Sequence, residues 1–142
     1  MKTFKTKLIK ITIIGIFMVI ILTSFGACSK KVVFLNSSVV PAAEGYVKVK
    51  KDENENYAIT LKISNLAEVD KMQPPKKTYV VWLETDRGVT RNIGQLVSSR
   101  NLNANFETVS SFKPVKIFLT AENNENVQYP GNVVLSTATF WK

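Results

Sequence analysis

Paired carboxylates are the main option for acid–base catalysis in this sequence, because its 142 residues include no histidine and a single cysteine. The lack of histidine excludes Ser-His-Asp and Cys-His nucleophile pairs and every histidine-ligated metal site. One cysteine excludes an intrachain disulfide framework and cysteine-clustered zinc or iron–sulfur sites. No two acidic residues are spaced to share a cleft. We therefore expect a protein that is not an enzyme and binds no cofactor and no metal.

Two segments rich in acids and asparagines are candidates for a cation site. Residues 52–56 (DENEN) place an aspartate and two asparagines at the first three ligand positions of an EF-hand calcium loop. The glycine and glutamate that such a loop needs further on are Tyr57 and Ile63 here, so the pattern is more typical of a solvated hairpin tip. Residues 122–126 (ENNEN) form a similar loop. The alternative function is a domain that senses a cation or a glycan through these loops. A cation site would require the tips of the two loops to meet in space.

A carboxylate-based glycosidase is the enzymatic alternative. It needs two acids that face each other across a cleft, and Glu84 and Glu122 are the candidates because each follows an apolar segment. Nothing in their spacing brings them together, so this alternative ranks after the two binding functions.

Aromatic side chains could recognise a ligand or partner by stacking. Tyr79 and Trp82 are three residues apart in one apolar segment, so they point to opposite faces of a strand. We expect Trp82 to be a core residue, because an inward tryptophan in a β-sandwich is usually part of the core. Phe140 and Trp141 lie at the end of the last strand, where we predict an exposed edge and a surface for a partner.

The first 27 residues have the pattern of a secretory signal peptide. Residues 1–10 contain four lysines and no acid, and residues 11–25 contain no charge. This uncharged run is shorter than the ~20 apolar residues that a membrane-spanning helix needs, and small residues follow it, as in a signal peptide. The sequence therefore predicts export from the cytoplasm.

Residues Phe25, Gly26, Ala27 and Cys28 resemble the lipobox of bacterial lipoproteins. In that family the cysteine thiol receives a diacylglycerol, the signal is cut just before it, and the new amino group is acylated with a chain such as palmitate. Two or more acyl chains anchor a protein stably. The resemblance implies attachment to a bacterial membrane with the domain facing out of the cytoplasm. An uncleaved anchor helix and simple secretion are the alternatives.

The charge of the mature chain argues against nucleic acid as a partner. Without residues 1–27, fifteen basic residues stand against eleven acidic ones, and no basic run is longer than two. Lys30 and Lys31 follow Cys28 closely, so we predict that they contact the anionic membrane surface.

Downstream of the signal the sequence alternates with the period of a β-strand. In residues 57–63 every second residue is apolar, and residues 46–50 show the same alternation. Residues 52–56 between them have the length of a hairpin connection. Counting the remaining segments gives seven or eight short strands, which predicts a single antiparallel, immunoglobulin-like β-sandwich over residues 43–142. Residues 28–42 would be a lipid-anchored tether that includes a candidate first strand.

From about Glu44 to its end, the sequence resembles the extracytoplasmic C-terminal domain of anti-sigma-K factors. The matching features, in order, are Asn65-Leu66, Pro74-Pro75, Tyr79-x-x-Trp82-Leu83, Gly94, the apolar run 117–121 ending in Glu122, and Tyr129-Pro130-Gly131-Asn132-Val133-Val134-Leu135. The resemblance implies an all-β sensing or interaction module outside the membrane. It does not imply sigma-factor binding, because the ten residues before the apolar run are too short for the family's sigma-binding segment.

These observations predict a lipid-anchored, non-enzymatic binding module of the bacterial cell envelope. Its partners would be the membrane, through the N-terminal lipid, and an envelope protein or other envelope component.

Overall fold

The computed structural model describes residues 29–97 and 102–141. The signal peptide and its lipobox residues, Phe25 to Cys28, lie outside the described residues. Within them the chain is all-β apart from one 3₁₀ turn, Val69–Lys71, and no helix is long and apolar enough to span a membrane. The strands are β1 (Ser29–Val33), β2 (Glu44–Lys51), β3 (Tyr57–Ser64), β4 (Thr78–Thr85), β5 (Thr90–Leu96), β6 (Ala104–Ser110), β7 (Pro114–Glu122) and β8 (Val133–Ser136).

The strands form two antiparallel sheets. The first sheet has the order β1-β2-β3-β6, and the second has the order β5-β4-β7-β8. The chain crosses between the sheets after β3, β5 and β6, whereas β1–β2–β3, β4–β5 and β7–β8 are consecutive strands paired within one sheet. The prediction of an antiparallel β-sandwich with seven or eight strands is confirmed.

The core lies between the two sheets and takes alternate residues from each strand. On β3, Ile59, Leu61 and Ile63 are buried, whereas Lys62 is exposed. This confirms the alternation predicted for residues 57–63. The polar segment 52–56 joins β2 to β3 as an antiparallel hairpin, also as predicted, because its turn residues interrupt two segments with matching apolar faces.

Tyr79 shows how the core accommodates a polar atom. Its ring is buried on the inner face of β4, and its hydroxyl donates a hydrogen bond to the carbonyl oxygen of Ala67 over 2.8 Å. Burial raises the pKa of Tyr79 to about 12. The hydroxyl therefore stays protonated, and a hydrogen-bond donor, throughout the neutral range.

The candidate first strand is present as β1, and residues 29–42 as a whole belong to the sandwich instead of forming a tether. All five residues of β1 pair with β2. The chain then crosses to the free edge of β8, where Phe34 bridges Thr137 and the Leu35 amide donates to the carbonyl of Ser136 over 2.8 Å. Phe34 and Val40 are buried in the core. Pairing and burial over this stretch leave no spacer after Ser29.

The register of the strands defines the two ends of the sandwich. Ser29, at the start of β1, pairs with Lys50 near the end of β2, and Thr85, at the end of β4, pairs with Pro114 at the start of β7. The start of β1 therefore lies at the end of the sandwich that carries the β2–β3, β4–β5 and β6–β7 connections. Thr78 pairs with Glu122 at the opposite end. That opposite end carries the β1–β2, β3–β4 and β7–β8 connections.

Candidate functional site

Phe140 does not form the predicted partner surface. Strand β8 ends at Ser136, and Phe140 lies beyond it with its side chain only 1% exposed, in the core. Its amide donates to the carbonyl oxygen of Val115 over 2.8 Å, which returns the chain to β7. The prediction was wrong because it extended the last strand to residue 141, whereas the segment after Ser136 folds back onto β7. Trp141 is partly buried, and its indole nitrogen donates to the carbonyl of Pro114 over 2.8 Å.

Lys30 and Lys31 are both exposed, but they lie on opposite faces of β1. The Lys30 ammonium lies 5.2 Å from the centroid of the Trp141 ring. The Lys31 ammonium lies 3.7 Å from the ring centroid of Tyr46, on the outer face of the first sheet. Each lysine is thus close enough to an aromatic ring for a cation–π contact, and the two do not act as one patch.

The two acidic loops lie at opposite ends of the sandwich. Asp52 uses one carboxylate oxygen to accept hydrogen bonds from the amides of Asn54 and Asn56, at 2.9 and 2.8 Å. Glu122 accepts one from the amide of Gly131 over 2.8 Å. Among the described residues, no three acidic side chains cluster so that they could hold a metal ion. The carboxylates of Asp52 and Glu122 are therefore engaged by backbone amides of their own loops. The two loop tips do not meet, so they form no shared cation site.

Trp82 is fully buried, as predicted, but it is not between the sheets. It packs with Val80 and Phe118 on the outer side of the second sheet, its ring 6.3 Å from that of Phe118 and nearly parallel to it. The indole nitrogen donates to the hydroxyl oxygen of Thr120 over 2.8 Å. Val127, from the β7–β8 loop (residues 123–132), covers the cluster. Trp82 is therefore closed to any ligand.

The β7–β8 loop is held in place by the edge strand β5. The side-chain amide of Asn92 donates to the carbonyl oxygens of Glu125 and Val127, at 2.8 and 3.0 Å. These two hydrogen bonds hold the middle of the β7–β8 loop over the apolar cluster. The loop that was considered as a cation site therefore serves as a lid on the outer face of the second sheet.

A cleft of about 460 Å³ opens at the end of the sandwich where β1 begins. We call it the end cleft. Three connections line it with residues that are distant in sequence, namely Lys51, Glu55 and Tyr57 from β2–β3, Thr85, Asp86, Arg87, Val89 and Arg91 from β4–β5, and Ser111, Phe112 and Lys113 from β6–β7. Four of these side chains are basic and two are acidic.

One acid of the end cleft is already neutralised. The Lys51 ammonium lies 2.8 Å from a carboxylate oxygen of Glu55. Their hydrogen bond raises the pKa of Lys51 and lowers that of Glu55, so both stay charged near neutral pH. Across the cleft, the guanidinium carbon of Arg91 lies 4.1 Å from the ring centroid of Phe112, which is 42% exposed. The Phe112 ring thereby holds one cation at the wall of the cleft.

The end cleft can hold an anionic group. A guanidinium presents paired donors that match a carboxylate or phosphate, and ammonium groups add charge. Reading the sequence did not find this site, because its bases are isolated along the chain: Arg87 lies in the β4–β5 turn, Arg91 on β5 and Lys113 in the β6–β7 connection. The available signal was a single base beside each of the turn residues Gly88 and Pro114, and it indicates a site only when the fold brings both turns to one end of the sandwich. No family model matches the chain, and no curated protein matches it either.

Proposed function

We propose that the protein is a lipid-anchored, non-enzymatic binding module of the bacterial cell envelope whose end cleft holds an anionic group of an envelope component. The excess of positive charge around that cleft is the observation that carries the binding part of the proposal. The lipobox-like residues ending at Cys28 support the anchor and the location outside the cytoplasm.

The charge balance of the end cleft favours an anion over a cation. With Glu55 paired to Lys51, Asp86 is the remaining acid beside three further bases, Arg87, Arg91 and Lys113. Asp86 is in no ion pair within the described part of the chain, so it lowers the positive potential without closing the site. The exposed ring of Phe112 supplies an apolar wall, which suits an anion attached to a carbon skeleton, such as a sugar phosphate or a sugar acid.

The binding test is a calorimetric titration with small anionic probes. Glycerol 3-phosphate and galacturonate represent phosphate- and carboxylate-bearing envelope polymers, and glycerol and galactose are their uncharged counterparts. We expect weak binding of the anions alone. Arg87→Gln combined with Arg91→Gln should weaken it by roughly tenfold or more, the effect of removing charge-assisted hydrogen bonds.

The matched control is Lys76→Gln combined with Lys77→Gln, which removes the same charge from the connection before β4 at the other end of the sandwich. This variant should bind the probes as the unmodified protein does. Equal losses of affinity in the two variants would show that net charge, not the end cleft, is responsible for binding. Galactose binding as strong as galacturonate binding would refute an anion site.

The anchor is tested by mass spectrometry of the protein isolated from cell membranes. We expect a chain that begins at Cys28 and carries a diacylglycerol on its thiol. The Cys28→Ser variant should keep residues 1–27. An unmodified thiol together with an intact start methionine would refute the anchor.

A further inference from the structure

Four lysines share the outer face of the first sheet. We call this surface the lysine face, and its basic residues are Lys31 on β1, Lys48 and Lys50 on β2, and Lys62 on β3. The pairing register places them together: Lys31 is directly opposite Lys48, and Lys62 is opposite Tyr46. All four lysines are exposed.

The charge of the lysine face is only partly balanced from within the protein. In the described residues none of the four lysines is in an ion pair. On the same face Glu107 lies opposite Thr60, and Glu44 lies at the far end of β2. Like charges placed directly opposite each other, as in Lys31 and Lys48, destabilise a strand pair. A partner that brings negative charge to this face would remove that repulsion.

Apolar side chains lie among these lysines. Val33 and Val109 each face outward from the first sheet and are each 64% exposed, and Tyr46 lies beneath the Lys31 ammonium. A flat surface that combines lysines, a tyrosine and exposed valines is complementary to the boundary between lipid headgroups and acyl chains.

We propose that the lysine face lies flat against the anionic lipid headgroups of the membrane that carries the anchor. This rests on the proposed lipid at Cys28. Ser29 begins β1, pairs with Lys50 and points outward on this same face, and one residue spans less than about 4 Å. The lipid would therefore hold a corner of the lysine face at the bilayer, with no spacer that lets the domain stand away.

An upright orientation would close the end cleft against the bilayer. The end of the sandwich next to Ser29 carries that cleft together with the β2–β3 hairpin, whose tip includes Asp52 and Glu53, both exposed. Standing on this end would bring the two acids to the anionic surface and hide the cleft from an envelope component. In the flat orientation the hairpin points along the membrane, and the end cleft opens sideways where an envelope component can reach it.

The test measures how fast individual lysines react in vesicles. The full protein, purified from membranes, is reconstituted in phosphatidylglycerol or phosphatidylcholine vesicles and acylated by a membrane-impermeant reagent, and mass spectrometry resolves each site. We expect Lys48, Lys50 and Lys62 to react roughly tenfold more slowly in phosphatidylglycerol than in phosphatidylcholine, because each engaged base contributes to binding anionic lipid. Lys71 and Lys77, exposed near the 3₁₀ turn, serve as internal references and should react equally in both.

A pair of matched variants separates the face from net charge. Lys31→Gln with Lys48→Gln and Lys50→Gln should abolish the slower reaction of Lys62 in phosphatidylglycerol. The control, Lys76→Gln with Lys77→Gln and Lys116→Gln, removes as many charges, keeps Lys71 as the internal reference and should leave that difference intact. About 1 M salt should also erase the difference, because it shortens the Debye length to about 3 Å.

The outcomes distinguish the lysine face from the anchor. A lipid-modified protein whose Lys48 and Lys62 react equally fast in both vesicles refutes the flat orientation and leaves the anchor standing. A protein without lipid on Cys28 that still shows slower reaction in phosphatidylglycerol keeps the face and refutes the anchor. A protein that carries no lipid on Cys28 and shows no slower reaction in phosphatidylglycerol refutes both the anchor and the flat orientation.

Discussion

The outer faces of the two sheets differ in composition and in what covers them. The outer face of the second sheet is apolar, with Val80, Trp82 and Phe118, and the β7–β8 loop covers it. The outer face of the first sheet is exposed and carries four lysines. No segment of the described chain packs over it as the β7–β8 loop packs over the second sheet.

The difference separates surface that stabilises the fold from surface that is free for a partner. Covering an apolar sheet face with the chain's own loop removes it from water and adds a second, small core. Leaving a basic face open adds nothing to stability and maintains repulsion between lysines. We therefore expect substitutions on the covered face to change the free energy of unfolding, and equivalent substitutions on the lysine face to change recognition instead.

Replacing Trp82 should have the largest effect. Trp82→Ala removes a fully buried ring and leaves a cavity beneath the loop, so we expect a loss of about 3–5 kcal/mol in urea unfolding. Tyr46→Ala on the lysine face should change stability by about 0.5 kcal/mol or less. Should Trp82→Ala fail to fold, Trp82→Phe gives an intermediate loss to measure. Equal losses of unfolding free energy in Trp82→Ala and Tyr46→Ala would contradict the proposed difference between the two faces.

Thr120→Val tests the hydrogen bond within the covered cluster. It keeps the shape of the side chain but leaves the indole N–H of Trp82 without its acceptor, so we expect a loss of about 1–3 kcal/mol by thermal or urea unfolding. Thr60→Val is the matched change on the lysine face and should stay within about 0.5 kcal/mol of the unmodified protein. A neutral Thr120→Val would mean that water reaches the indole nitrogen.

Asn92→Ala tests how the loop is fastened. The substitution removes both hydrogen bonds from β5 to the loop carbonyls, and we expect a loss of about 1 kcal/mol. Amide exchange should quicken across residues 123–131, and the fluorescence of Trp82 should shift to the red. Asn105→Ala on the exposed strand β6 is the control. Unchanged exchange in the loop would show that packing of Val127 alone holds the cover.

Lys48→Gln should have the smallest effect, and of opposite sign. Removing the charge opposite Lys31 should stabilise the domain by about 0.3 kcal/mol at low salt. The gain should vanish near 1 M salt, where charges this far apart are screened. Lys71→Gln, in the loop before β4, is the control. A clear destabilisation by Lys48→Gln would indicate that this lysine packs for stability rather than remaining free for a partner.

Reading the sequence was sufficient for features that depend on neighbouring residues. The alternation in residues 57–63 identified the buried face of β3, and the polar run 52–56 identified a hairpin. Both succeed because a strand places successive side chains on opposite faces whatever the strand pairs with. The lipobox-like residues before Ser29 are equally local in character, and the lipid on Cys28 remains a prediction.

Features that depend on which strands are neighbours could not be read in this way. Alternation placed Trp82 and Tyr79 on opposite faces, but it could not say that a loop forty residues later covers Trp82. It also extended the last strand to Trp141 and treated residues 28–42 as a tether with a candidate first strand. Backbone pairing with β2, and burial of Phe34 in the core, place residues 29–42 in the sandwich.

By itself, then, the sequence determined that this protein is a sandwich of short strands and which residues within most strands face inward. Only the tertiary structure decided that Lys31 and Lys62 join the lysines of β2 on one face, and that Arg91 and Lys113 meet at one cleft. The physical reason is that side-chain alternation is a property of a single strand. Register and sheet order follow instead from burying the core and pairing backbone groups over the whole chain.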